Sequence, residues 1–152
     1  MSSTCISRHL NAPRARVYAA LIDGAAVQKW RVPKGMQSEV HEFDGREGGK
    51  FRVSLTYDEP GASGKSSART DTYHGHFVRL VPNELVLESL EFETTDPKFS
   101  GEMMITFSLS DEASGTRLDA VHDRVPAGVA AADNELGWSM SLANLAELVE
   151  TK

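Results

Sequence analysis

His122 and Asn134 are the residues of this 152-residue chain best placed to do chemistry. His122 follows Leu118 and Ala120 on the inward parity of a strand covering Thr116 to Val125, while Arg117, Asp119 and Asp123 face outward. The strand leads directly into the segment carrying Asn134, so an imidazole and a carboxamide can meet at the mouth of an apolar pocket and orient a bound molecule. The competing reading is a histidine satisfied by a backbone carbonyl or by Glu135, since buried polar groups have partners. Acid–base catalysis would use His122 or Glu135, but no spacing brings the two together and no nucleophile has visible support.

Other reactive types are set aside on similar grounds. His74 and His76 form a His-x-His about 7 Å apart on one strand face, a spacing some metal sites use, yet no third ligand is evident. Tyr73, Phe77 and Val81 take the inward face, which leaves the histidines at a solvated edge and predicts no metal and no cofactor. Cys5, alone and without a reactive partner, reads as a small core residue. Gly45, Gly48 and Gly49 stand between strands rather than between a strand and a helix, so a nucleotide loop is unsupported.

The elements that must position His122 and Asn134 follow from periodicity. Cys5 to Leu10 reads as a strand, and Asn11-Ala12-Pro13 supplies a capping side chain and a first-turn proline. Val17, Ala20 and Leu21 form the apolar face of a short helix, Asp23-Gly24 ends it, and a shorter helix runs to Trp30. Alternation then takes over. Strands are predicted near Glu39 to Asp44, Lys50 to Tyr57, Arg69 to Val81, Glu84 to Glu93, Gly101 to Ser110 and Thr116 to Val125. Phe51, Val53, Leu55 and Tyr57 share one face, as do Met103, Ile105, Phe107 and Leu109. The polar stretch Asp58 to Ser67 reads as a loop that would serve as a lid or as a plain connection.

From about Val129 to Glu150 the period is helical. Trp138, Leu142, Leu145 and Val149 form a stripe that passes through Asn134 and Ala131 toward the N-terminus, so the apolar face fades there. An antiparallel sheet with one apolar face needs a cover, and only this helix is long enough. The fold class is α+β, a helix gripped by a curved antiparallel sheet. The pocket wall is read as Phe51, Val53, Leu55, Tyr73, Phe77, Met103 and Ile105. Trp30 and Met36 stand at its entrance, where Trp30 either lines the pocket or plugs the open end of the core.

Composition narrows the partners. A formal net charge of −6 repels phosphate backbones, so nucleic acid is not expected. No run approaches the roughly 18 apolar residues of a membrane span. One cysteine and an N-terminus without a basic, then apolar, segment predict a cytoplasmic protein. The remaining partner readings are a small hydrophobic molecule, a second copy forming a homodimer, and a docked protein such as a chaperone.

Ala12-Pro13, Val17-Tyr18, Leu21, Trp30, Gly48-Gly49-Lys50-Phe51, Gly75, Pro82, Gly137-Trp138, Leu142 and Leu145 come in an order and spacing that resembles the START-like superfamily. Within it, the chain is most similar to the Hsp90 ATPase activator C-terminal-domain-like family, over nearly its whole length. The resemblance implies one helix-grip domain spanning residues 1–152, with a cavity between helix and sheet. In relatives that cavity holds lipids, sterols, polyketides or other apolar molecules, and some relatives are cyclases, aromatases or hydrolases. Relatives often carry histidine at the position of Asn134, which can hydrogen-bond but cannot titrate. The co-chaperone that names the family has an additional N-terminal domain for which 152 residues leave no room, so Hsp90 activation is not expected.

Overall fold

A computed structural model describes residues 2–58 and 70–150. The elements run β1 (Ser2–Leu10), α1 (Arg14–Leu21), α2 (Gly24–Trp30), β2 (Met36–Phe43), β3 (Lys50–Tyr57), β4 (Thr70–Val81), β5 (Leu85–Phe92), β6 (Met103–Glu112), β7 (Gly115–Val125) and α3 (Ala131–Glu150). One antiparallel sheet orders its strands β1-β7-β6-β5-β4-β3-β2. β1 and β2 are its two edges, and α1 and α2 carry the chain from one to the other. The sheet curls around α3, which at ~1.5 Å per residue is about 30 Å long. This is the helix-grip arrangement expected from the change of period. After Asp58, the expected lid loop lies outside the described residues.

Alternation decides the sheet's inner face. Met103, Ile105, Phe107 and Leu109 of β6 are buried, and so are Leu118, Ala120 and His122 of β7. Phe51 and Val53 of β3 are buried beside Phe77, and Phe51 and Phe77 join Phe43 in an aromatic cluster with ring centroids 5.3–6.0 Å apart. Trp30 ends α2 and reaches the same core, where its indole N–H donates to the Ala20 carbonyl at 2.9 Å. Among the described residues, no helix is long and apolar enough to cross a membrane.

Three local expectations are corrected. Cys5 is exposed, because Thr4, Ile6 and Leu10 hold the inward parity of β1. Asn11 does not cap α1: Pro13 is the extended N-cap residue, and Asn11, two positions earlier, turns its Oδ1 to within 3.0 Å of His9 Nε2. Val81 loses its place to Leu80, since a bulge between Phe77 and Arg79 shifts the parity of β4 by one residue and sets Leu80 opposite Val86. Before the bulge β4 runs as expected, with Tyr73 and Phe77 buried and His76 exposed.

Candidate functional site

Along α3, Leu142, Leu145, Ala146 and Val149 are buried, whereas Asn134, Gly137 and Trp138 are only partly so. Where the apolar stripe gives out, an open cleft of about 320 Å³ separates α3 from the sheet. Its helix side carries Asn134, Gly137, Trp138 and Ser141. Its sheet side carries Leu55, Tyr73, Leu90, Phe92, Met103, Ile105 and His122, and Arg31, Pro33 and Met36 close the end nearest α2. The surface is mainly apolar, and its polar atoms belong to a small set of side chains.

His122 sits at the centre of one polar group. Its Nδ1 lies 3.2 Å from the Trp138 indole nitrogen and 3.1 Å from Asn134 Nδ2. An indole N–H only donates, so Nδ1 must carry the lone pair and the ring proton must sit on Nε2, 3.1 Å from Met103 Sδ. The Asn134 amide also donates to Thr4 Oγ1 at 2.8 Å, which ties the start of α3 to β1. Burial, reinforced by the nearby Arg31 charge, lowers the His122 pKa from 6.5 to about 4, against the opposing pull of Asp123. The ring is neutral at pH 7 and its lone pair is already shared by two donors. That arrangement orients the ring and Trp138 but leaves no free base.

The second polar group was not visible in the spacing of the candidate residues. Arg31 donates from Nη1 to both oxygens of Glu88, at 2.9 and 3.1 Å, in a pair whose side chains are 8% and 1% exposed. Its guanidinium carbon lies 5.1 Å from the Tyr73 ring centroid and 5.2 Å from that of Trp138, within cation–π range. Burial pushes the Glu88 carboxyl up from its ordinary value, against the pull of Arg31. Burial also works to lower Arg31, but the attraction of Glu88, the influence of Tyr73 and the Glu88 hydrogen bond together outweigh it and hold the guanidinium charged. α2 aims this side chain: Trp30 anchors the last turn, Arg31 caps it by donating its backbone N–H to the Val27 carbonyl, and Asn144 of α3 holds the Val32 carbonyl at 3.0 Å. Tyr73, 4% exposed, has no hydrogen-bond partner for its hydroxyl among the described residues. Burial raises its pKa, so the phenol keeps its proton.

Of the residues expected to contact a ligand, Leu55, Tyr73, Met103, Ile105, His122 and Asn134 line the cleft together. Trp30, Phe51, Val53 and Phe77 do not. They lie on the inward face, but the aromatic cluster and the α2 packing fill the space there. Sequence reasoning missed Arg31, Glu88 and Leu90. A signal for Glu88 exists: it lies between Val86 and Leu90 on the inward parity of β5, an acidic residue at a core position. Arg31 had none, since it follows the final residue of a short helix. Glu135 does not line the cleft, and His74 is engaged by Glu91 and Glu93, each at 3.0 Å. Among the described residues, no group of three or more His, Cys, Asp or Glu could hold a metal ion.

The comparisons with known proteins agree with this architecture. The protein CV1439 from Chromobacterium violaceum is 31% identical, with a TM-score of 0.87 over 99% of this chain and 98% of that one. An AHSA1-like protein from Aeromonas hydrophila is 17% identical, with a TM-score of 0.72 over 98% and 92% of the two chains. DynU16, from the dynemicin biosynthetic locus, is 19% identical with a TM-score of 0.67, over 99% of this chain and 48% of that one. No curated protein matches the chain. The sequence profile of the Activator of Hsp90 ATPase homolog 1-like proteins matches residues 11–150, and the chain belongs to that family.

Proposed function

We propose that this protein binds a small, mostly apolar molecule in the cleft between α3 and the sheet. The observation that carries the reading is the cleft itself: apolar walls from β3 to β6 and a few converging polar groups, at the place where the stripe of α3 ends. Its volume of about 320 Å³ lies at the small end of the ~300–1,000 Å³ range of ligand pockets. At about 30 Å³ per water-sized group it accommodates roughly ten such groups. That suits a molecule of about two rings better than a sterol or a phospholipid. DynU16, a structural neighbour from a biosynthetic locus, is compatible with this role. A general-base enzyme is the weaker reading, because the His122 lone pair is occupied and Glu135 is not in the cleft.

Native mass spectrometry of freshly purified protein, followed by a panel of hydrophobic compounds of one to three rings, tests the proposal. A saturable one-to-one complex is expected. Leu55→Trp, which adds bulk at a half-buried cleft position, should abolish it while leaving the thermal midpoint close to wild type. No uptake by the wild-type protein across such a panel refutes the proposal.

A further inference from the structure

The cleft has one end that is not apolar, and its chemistry narrows the ligand class. Arg31 and Tyr73 both line the cleft there, and the guanidinium lies against the phenol ring. Arg31 commits Nη1 to Glu88, but a guanidinium carries five N–H donors in a planar fork. The Tyr73 hydroxyl is buried without a partner among the described residues, so the loss of its bond to water is left uncompensated. Both groups donate. The other charged groups along the cleft are Lys34, Asp71 and Asp133, and Asp71 has an interaction of its own.

We infer that the ligand carries an acceptor oxygen, a ketone or carboxylate conjugated to a ring system of about two rings, that docks on the Arg31 guanidinium and the Tyr73 hydroxyl. This rests on the binding role proposed above. The geometry fits such a group in three respects. Residues with donors from two different places in the fold, the C-cap of α2 and strand β4, line the cleft side by side. The Tyr73 and Trp138 rings beside the guanidinium offer flat surfaces to a planar molecule. The Arg31–Glu88 pair fixes the guanidinium in advance, so little ordering remains to oppose binding.

Three probes of nearly equal shape separate the chemistry: 2-acetylnaphthalene, 2-naphthoate and 2-isopropylnaphthalene, titrated into the full chain by calorimetry. The inference expects the ketone, the carboxylate or both to bind at least tenfold more tightly than the hydrocarbon, and whichever binds more tightly names the oxygen. Tyr73→Phe keeps the ring and deletes the hydroxyl. It should reduce affinity for the oxygen-bearing probes about three- to tenfold, the worth of one net hydrogen bond, and so narrow their lead over the hydrocarbon. If Arg31→Met fails to fold, Arg31→Met with Glu88→Leu removes the cation without stranding a buried carboxylate, and it should erase the preference. Equal binding of all three probes, unchanged in Tyr73→Phe, overturns the inference and leaves the binding role standing. Binding of none of them, together with no uptake from the broader panel, overturns both.

Discussion

Acidification should destabilise the fold through His122, by an amount that the structure sets. The ring is buried against Trp138, Asn134 and Met103, and its pKa falls to about 4 in the folded state against 6.5 in an exposed ring. The unfolded chain therefore takes up a proton at a pH where the folded one refuses it, and stability must rise with pH across that interval. The contribution is complete above pH 6.5 and is lost progressively as pH falls toward 4. Linkage gives about 2 kcal/mol lost by pH 5, and about 3 kcal/mol once pH is well below 4. Carboxylates add their own acid dependence, so the informative quantity is a difference. Urea unfolding of wild type and His122→Gln, measured from pH 7 to pH 5, should show the variant losing about 2 kcal/mol less over the interval. The main cause is burial of the ring, which penalises the charged imidazolium, and the nearby Arg31 charge adds to it. Matching pH slopes in the two proteins, or an NMR titration of the His122 ring with a midpoint near 6.5, would refute the reasoning.

Two further outcomes test the packing around the cleft. Arg31→Met alone should cost about 3–5 kcal/mol in urea unfolding, because it strands the Glu88 carboxyl in the core, whereas Arg31→Met with Glu88→Leu should fall within about 1 kcal/mol of wild type. Gly75→Ala should cost about 3 kcal/mol or more by the same assay: a Cβ there would lie 2.0 Å from the Ser89 carbonyl oxygen, and only backbone movement in β5 could relieve it.

Much of the architecture was legible because period reports burial directly. Met103, Ile105, Phe107 and Leu109 announced β6, and the spacing of Trp138, Leu142, Leu145 and Val149 announced α3 and the end at which its packing fails. What the pattern could not carry was the consequence of a single inserted residue. The bulge after Phe77 changes which residue of β4 points inward, and nothing in the local composition marks it. Parity also cannot say how far along an inward face the packing closes. Phe51, Val53 and Phe77 share the inward face with Leu55 and Tyr73, yet they lie where three phenylalanine rings fill the space. The site was half legible for the same reason. His122 and Asn134 could be paired from topology, whereas Arg31 reaches the cleft only because the α2 C-terminus is held by Trp30 on one side and Asn144 on the other.

The position of Arg31–Glu88 separates two accounts of why a core would contain it. A buried ion pair is weak evidence for stability, since the desolvation of two charges offsets most of their attraction and apolar replacements often serve as well. If this pair existed to hold the fold, its best location would be under the closed half of α3, where Leu142, Leu145 and Val149 exclude water. It lies instead at the open half, where Arg31 lines the cleft beside a tyrosine hydroxyl that has no partner among the described residues. There Glu88 anchors the guanidinium from the sheet side through Nη1 alone. For the binding role proposed above, the pair supplies a fixed donor, and α3 divides its length between sealing the core and roofing that donor.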